Sequence, residues 1–471
     1  MYMRIAVVML AFLAGDADAQ TPTPAGQRSA GSQTEARAML EKLVGFPTVA
    51  GRDAVAGTVS YLAAEFRAAG FPQASIEVLE AGDTAGLIVR YPGAAGSAKP
   101  PVLLLAHMDV VEASGADWTH DPWRLTELDG RLYGRGVVDN KYGLTVIAQA
   151  FLRLRREGFV PDRELVIAFS GDEETGGTKT ASLQAQRLRG AAFALNADAG
   201  GGFRSIKAPP VYYVQAAEKS YATFEVTARN KGGHSSSPRP DNAIYELAAA
   251  LQRIERLRFP VRWNEVSLSA LAAMAPSLEG ELASALRAFV AAPGDTPAAA
   301  VLAAEPSINS DLRTTCVATM LRAGEGENSL ANSATATVNC RIFPGETVAD
   351  TRLALLAAMD DESLEVITLG TPLDSPASAV PAEVMTALET VLQVRAPGAT
   401  IVPYMESGAT DGVHFRLAGI PTVGVGPLFS GEGVSYNYHG NDENLPITHF
   451  ADGLDHFYLL IKALASQTTA D

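Results

Sequence analysis

Cysteine is nearly absent from this chain: Cys316 and Cys340 are the only two in 471 residues. That excludes a cysteine-ligated zinc site and a disulfide scaffold. In an oxidising compartment the two could pair, or both could remain buried thiols, and the sequence leaves both readings open. Positive charge is also in short supply, with 37 Lys and Arg against 53 Asp and Glu and a net charge of -16. Such a balance argues against a nucleic acid or an anionic membrane as partner. Long apolar runs are missing too, since no stretch approaches the roughly 20 residues that a membrane-spanning helix needs. The run Ile5 to Ala14, behind Arg4 and ahead of Ala17-Asp18-Ala19, is too short to span and reads as a secretory signal peptide over residues 1–19. Residues 20–33, opening Gln20-Thr-Pro-Thr-Pro, have the composition of a flexible leader. The mature protein is therefore expected to be exported, periplasmic or secreted, with no membrane association once the signal is removed. No solenoid-type repeat is present.

What the chain does have is an ordinary globular composition, 47% hydrophobic and 19% charged, with length for two or three domains. Val59, Leu62, Phe66 and Ala69 recur at helical spacing up to Gly70, and Pro101 to Ala106 reads as a buried strand. A second helix carries Leu144, Ile147, Phe151 and Leu154, followed by a strand over Glu164 to Phe169. Strands alternating with helices predict an α/β fold with a mostly parallel sheet covered by helices on both faces. From about residue 216 the pattern changes. Tyr221 to Ala228 and Thr335 to Ile342 alternate as half-exposed strands, Asn242 to Leu257 is helical, and residues 278–305 are Ala-rich helices with a loose connection. After residue 371 the α/β rhythm resumes. The expected organisation is a catalytic domain in two parts, 34–215 and 371–468, with an α+β lid or dimerisation domain at 216–370 between them.

Acids and imidazoles cluster after the apolar strands. His107 follows Leu103-Leu-Leu-Ala at a strand end, where open parallel sheets bind ligands, and Asp109 two residues on suits the orienting of a metal-bound imidazole. Asp139 sits in a glycine-rich turn before a helix, which fits either an N-cap or a carboxylate bridging two metals. Asp172-Glu173-Glu174 places three like charges together, which calls for a cation, solvent exposure or raised pKa values. One glutamate could ligate while its neighbour acts as general base. Asp198 repeats the strand-end acid and His439 lies in a late polar loop. A histidine and carboxylate set without thiolates suits two zinc ions, with cobalt or manganese as substitutes.

The ordered segments His107-Met-Asp109, Gly134-Arg-Gly-Val-Val-Asp139-Asn-Lys, Asp172-Glu173-Glu174, Asp198, Gly232-Gly-His234-Ser-Ser and His439-Gly resemble the di-zinc exopeptidases and deacylases of family M20, over roughly residues 34–467. That family takes in glutamate and Gly-X carboxypeptidases, aminoacylases, acetylornithine deacetylase and succinyl-diaminopimelate desuccinylase. The resemblance implies Asp139 as bridging ligand, His107 and Asp198 completing one zinc site, and Glu174 and His439 the other. It further implies Glu173 as general base on the water between the zinc ions, Asp109 as orienter of His107, and His234 reaching a partner subunit's site in a homodimer. Asn328 and Arg341 match substrate-holding residues of the lid, and Gly408 belongs to a loop near the substrate carboxylate. The family often has Ile-Pro beyond this asparagine, whereas Asn328-Ser-Leu-Ala331 lacks the proline. His120, His414, His449 and His456 match no role and read as structural.

The implied activity is hydrolysis of the amide beside a free carboxylate in a short peptide or N-acyl amino acid. An arginine fork suits that anchor because it can bond both carboxylate oxygens. Three alternatives use the same residues differently: a di-zinc aminopeptidase or dipeptidase anchoring the substrate amine, a non-catalytic peptide-binding module, and an intracellular amidohydrolase whose apparent signal is accidental.

Overall fold

A computed structural model of the chain describes residues 30–206 and 208–466. The signal segment 1–19 and most of the leader lie outside the described residues. Residues 30–33, expected to close the leader, instead open the helix Ala30–Val44. Ala36, Met39, Leu40 and Leu43 give that helix a buried stripe that docks into the core.

A ten-stranded sheet organises the larger part of the molecule. At its centre Leu165–Ser170, Val102–His107, Phe193–Asn196 and Thr422–Gly424 lie side by side and parallel. Every residue of these four strands is buried, as expected where helices cover both faces. Alternation divides the strand residues between two cores. Leu104 and Ala106 pack with the helices Val55–Ala68, Lys141–Arg156 and His456–Ala465, while Leu103 and Leu105 face Thr180–Arg187 and Gly412–Leu417. The edge strands Ile76–Ala81 and Thr84–Tyr91 run antiparallel.

The chain leaves this sheet at Glu218, the last residue of Val211–Glu218, and rejoins it at Thr400–Glu406, which pairs with that same strand. Between lies a second sheet, wholly antiparallel, in the order Thr315–Ala323, Ser333–Ile342, Ser220–Arg229, Glu365–Leu369. Along Ser333–Ile342 the residues Ala336, Val338, Cys340 and Ile342 are buried against the helices Ala243–Arg256 and Val348–Met359, on the face predicted from alternation. Cys316 and Cys340 face each other in register across two strands and form a disulfide.

The Ala-rich stretch is more structured than the sequence suggested. Gly280–Ala291 and Thr296–Leu302 are joined by Glu265–Met274 and Pro306–Leu312 around a core of Leu271, Leu286, Phe289, Leu302, Ile308 and Leu312. Glu265–Met274 opens with a capping box between Asn264 and Ser267, a boundary signal that falls outside the window read as helical.

Candidate metal centre

The imidazole of His107 emerges at the C-terminal end of its strand with its two nitrogens differently engaged. Nδ1 lies 3.0 Å from the backbone carbonyl of Asp109 and 3.5 Å from its carboxylate. Donation to that carbonyl leaves Nε2 facing the carboxylates of Asp139 at 3.0 Å and Asp198 at 3.4 Å. Asp139 turns its other oxygen to His439 Nε2 at 3.1 Å, and the same nitrogen is 3.2 Å from Glu174. Asp139 is thus shared between two donor sets, one with His107 and Asp198, the other with Glu174 and His439. Residues from five separate segments meet within a few ångströms.

In this cluster four acids face two imidazoles. Among the described residues no Lys or Arg pairs with Asp139, Glu173, Glu174 or Asp198, and Glu174 Oε1 is buried without a hydrogen-bond partner. Burial pushes the Asp198 carboxyl up to about 6. Burial also drives Glu173 well above the carboxylate range; His107 pulls it down, while Asp198, Asp411 and Glu174 add to the rise. Hydrogen bonds to Asp139 and Glu174 lift His439 to about 10. Burial works against a charged His107, yet Asp198, Asp109 and Asp139 together hold it above its usual value. Crowded acids, an orphaned carboxylate oxygen and imidazoles held toward the cationic form are the marks of a site shaped for positive charge. A donor set of carboxylate oxygens and imidazole nitrogens, with no sulfur, fits a pair of divalent cations.

Several neighbours position the cluster. The Asp109 carboxylate accepts the backbone N–H groups of Glu173 at 3.1 Å and Glu174 at 2.9 Å, so it orders the acidic loop as well as His107. Asn140 donates to Asp198 at 2.6 Å. Glu443, fully buried, accepts from the backbone N–H groups of Gly136, Val138 and Asp139 at 2.8–3.0 Å and from Arg135 at 2.9 Å. This carboxylate shapes the loop that presents Asp139. Asn140 and Glu443 were missed in the sequence, although Glu443 falls only four residues after His439, on the same polar loop. Asp172, the remaining acid of the triad, has a different use: its carboxylate accepts from the N–H groups of Lys179 and Thr180 and from the Thr180 hydroxyl, capping the next helix.

A cleft of about 940 Å³ opens over the cluster. Asp139, Glu173, Glu174, Asp198 and His439 line it, and so do Arg341, Lys219 and Gly408. Arg341 donates to the Ser407 carbonyl at 3.1 Å and lies over the Tyr221 ring at 4.6 Å. His234 and Asn328 do not line this cleft. They sit together, exposed, where Gly233–His234 pairs with Ser329–Leu330 and Ser235 N–H donates to the Asn328 carbonyl at 3.0 Å. The other histidines have local partners: His414 meets the Gly176 carbonyl, His449 the Tyr436 hydroxyl, His456 Tyr212 and Arg395, and His120 the Tyr133 ring.

Known proteins resemble the chain in both sequence and fold. The chain is 31% identical over 327 residues to the N-fatty-acyl-amino acid synthase/hydrolase PM20D1 of Xenopus tropicalis, an alignment covering 67% of this chain and 63% of that protein. It is 27% identical over 402 residues to a probable carboxypeptidase S-like protein of Dictyostelium discoideum, covering 80% and 74%. The fold matches an M20 family metallo-carboxypeptidase of Sulfolobus solfataricus with a TM-score of 0.69 at 17% identity, over 91% of this chain and 99% of that one. Residues 103–463 match Peptidase family M20/M25/M40, and the chain belongs to that family.

Proposed function

We propose that this protein is a two-metal hydrolase that cleaves the amide bond beside a free carboxylate in N-acyl amino acids or short peptides. The observation that carries this reading is the cleft itself, where Asp139, Asp198, Glu174, His439 and Glu173 share one wall system with the guanidinium of Arg341. Relatives named as an N-fatty-acyl-amino acid hydrolase and a carboxypeptidase support the same substrate class.

Asp139 would bridge the ions, with His107 and Asp198 on one and Glu174 and His439 on the other; zinc is the proposed occupant. Bound there, the ions would supply Lewis acidity toward the scissile carbonyl and lower the pKa of the attacking water. Glu173 takes the proton of that water and returns it to the leaving nitrogen, a task suited to a carboxyl that burial has made more basic. Arg341 holds the substrate carboxylate, with the Gly408 loop beside it.

His234 and Asn328, exposed and outside the cleft of their own chain, would serve the cleft of a second copy. The edge strand Thr315–Ala323, which exposes Val317, Met320 and Leu321, offers a surface for that pairing. The amino-terminal segment would direct export, which mass spectrometry of the mature amino terminus tests.

Assay of the zinc-loaded protein against N-acyl amino acids, blocked dipeptides and free-amine dipeptides decides the main reading. Cleavage of substrates with a free carboxylate, lost when that carboxylate is amidated, is the expected result. Preference for a free amine irrespective of the carboxylate would identify an aminopeptidase instead.

A further inference from the structure

Glu218 stands where the chain leaves the large sheet, and its side chain is fully buried. Both of its oxygens are engaged. Oε2 accepts from the Gln215 amide at 2.8 Å, the Thr410 backbone N–H at 3.1 Å and the Thr410 hydroxyl at 2.9 Å. Oε1 pairs with the Arg416 guanidinium and accepts from the Ser375 hydroxyl at 3.1 Å. Ser375 lies on the return crossing from the smaller sheet, and its N–H donates to Ser220 Oγ on the outgoing crossing at 2.7 Å. One carboxylate thus ties both crossings between the sheets to Thr410.

Thr410 closes a short loop, Ser407 to Thr410, whose other end is held by a second acid. The Glu406 carboxylate accepts from the backbone N–H groups of Ser407 at 2.8 Å and Gly408 at 3.3 Å, and from the Tyr404 hydroxyl at 2.9 Å. Between these two anchors the Ser407 carbonyl accepts from Arg341 at 3.1 Å. Arg341 belongs to the smaller sheet, yet this bond to the loop, with the Tyr221 ring beside it, sets where the guanidinium stands in the cleft. The contacts run in order from Glu218 to Thr410, to the Ser407 carbonyl and to Arg341. An ion pair buried as deeply as Glu218–Arg416 adds little net stability over apolar packing, because desolvation offsets the attraction. What it fixes here is the end of the loop.

We propose that Glu218 is a positioning residue for substrate binding: by fixing Thr410 it fixes the loop whose Ser407 carbonyl aims Arg341 at the substrate carboxylate. The proposal rests on the function proposed above, because it needs Arg341 as the anchor of that carboxylate. A guanidinium bonds both carboxylate oxygens only when the two planes are aligned, so turning the fork away forfeits one of the bonds. In Glu218→Gln the shape of the side chain is kept, but one acceptor oxygen becomes an NH2 donor. That group must face either Arg416 or the Thr410 N–H, so donor meets donor in both orientations and the loop end shifts.

The test is a double-mutant cycle on the zinc-loaded full chain with an N-acyl amino acid as substrate. It reads kcat, KM and metal content for the parent, Glu218→Gln, Arg341→Ala and the double variant. Glu218→Gln should raise KM about tenfold, a share of what loss of the charge-assisted bond itself costs, with kcat within about threefold and both metal equivalents retained. In the Arg341→Ala background the same change should move kcat/KM by less than about twofold, since no guanidinium is left to aim. Thr410→Val removes only a hydroxyl donor to the same carboxylate; it should follow this pattern at about threefold, and it carries the test if Glu218→Gln does not fold. Equal losses in both backgrounds, a fall in kcat at unchanged KM, or loss of metal overturns the proposal while the reaction assignment survives. So does an unchanged KM in Arg341→Ala. No hydrolysis of any carboxylate-bearing amide by the parent overturns the reaction assignment and this proposal with it.

Discussion

Replacing Glu173 by alanine separates the two chemical roles open to an acid in this cluster. One of its oxygens comes within 4.8 Å of ligand atoms on His107 and Glu174, so by proximity alone it could be a ligand or a base. The substitution is structurally mild because the backbone at Glu173 and Glu174 is held by the Asp109 carboxylate, which the change leaves in place. If Glu173 moves the proton, its loss costs the contribution of a positioned general base, about 10²- to 10⁴-fold in kcat, or roughly 3–5 kcal/mol in the barrier. Both metal equivalents should stay bound, since Asp139, His107, Asp198, Glu174 and His439 are untouched. The assay pairs turnover of an N-acyl amino acid with metal content after desalting. Two equivalents with turnover reduced at least a hundredfold is the expected result. Turnover within tenfold of the parent enzyme, or a fall to one equivalent, would refute the reasoning, the second by making Glu173 a ligand.

Glu443→Gln should weaken metal binding about 10- to 100-fold, the usual effect of disturbing groups that hold ligands in place, as read by competition with a chelator. Arg341→Ala should raise KM about 10- to 150-fold for carboxylate substrates, the equivalent of roughly 1.5–3 kcal/mol for a charge-assisted hydrogen bond, and leave amidated analogues unaffected. Stability of the metal-loaded protein should fall on acidification. Burial holds His414, His449 and His456 below 6.5, so each folded imidazole resists a proton that the unfolded chain accepts. The stability they confer is complete above pH 6.5 and declines below it by up to about 1.4 kcal/mol per pH unit for each histidine, until the folded group itself titrates. Denaturant titrations from pH 7 to 5 check this, and His456→Asn should flatten the slope. Reduction of the Cys316–Cys340 disulfide, whose partners are 24 residues apart, should destabilise the smaller sheet by about 3 kcal/mol on chain-entropy grounds.

The central sheet and the candidate ligands were legible because each rests on a local signal, while the division of those ligands into two donor sets came only from the family resemblance. His107 ends an apolar run, Asp198 follows another, and Asp139 sits in a glycine-rich turn, so residue type and strand position together narrowed the choice. Face assignment in Ser333–Ile342 followed from alternation alone. What escaped the sequence depends on contacts between distant segments. Glu443 looks like any loop acid until its carboxylate is seen to take three backbone N–H groups from residues about 300 positions earlier. Asp172 reads as one more acid of a triad until its side chain is seen to turn to the next helix.

The Glu443 clamp also bears on when activity first appears during biosynthesis. Translation delivers the early strands, with His107, Asp139, Glu173 and Asp198, long before the loop that carries His439 and Glu443. A nascent chain that has not reached this loop has neither the last imidazole nor the carboxylate that sets the Asp139 loop, and it also lacks the helix His456–Ala465 that packs on the central sheet. Hydrolytic competence is therefore gained late, when synthesis is nearly finished, and a truncated chain ending before residue 439 should be inert.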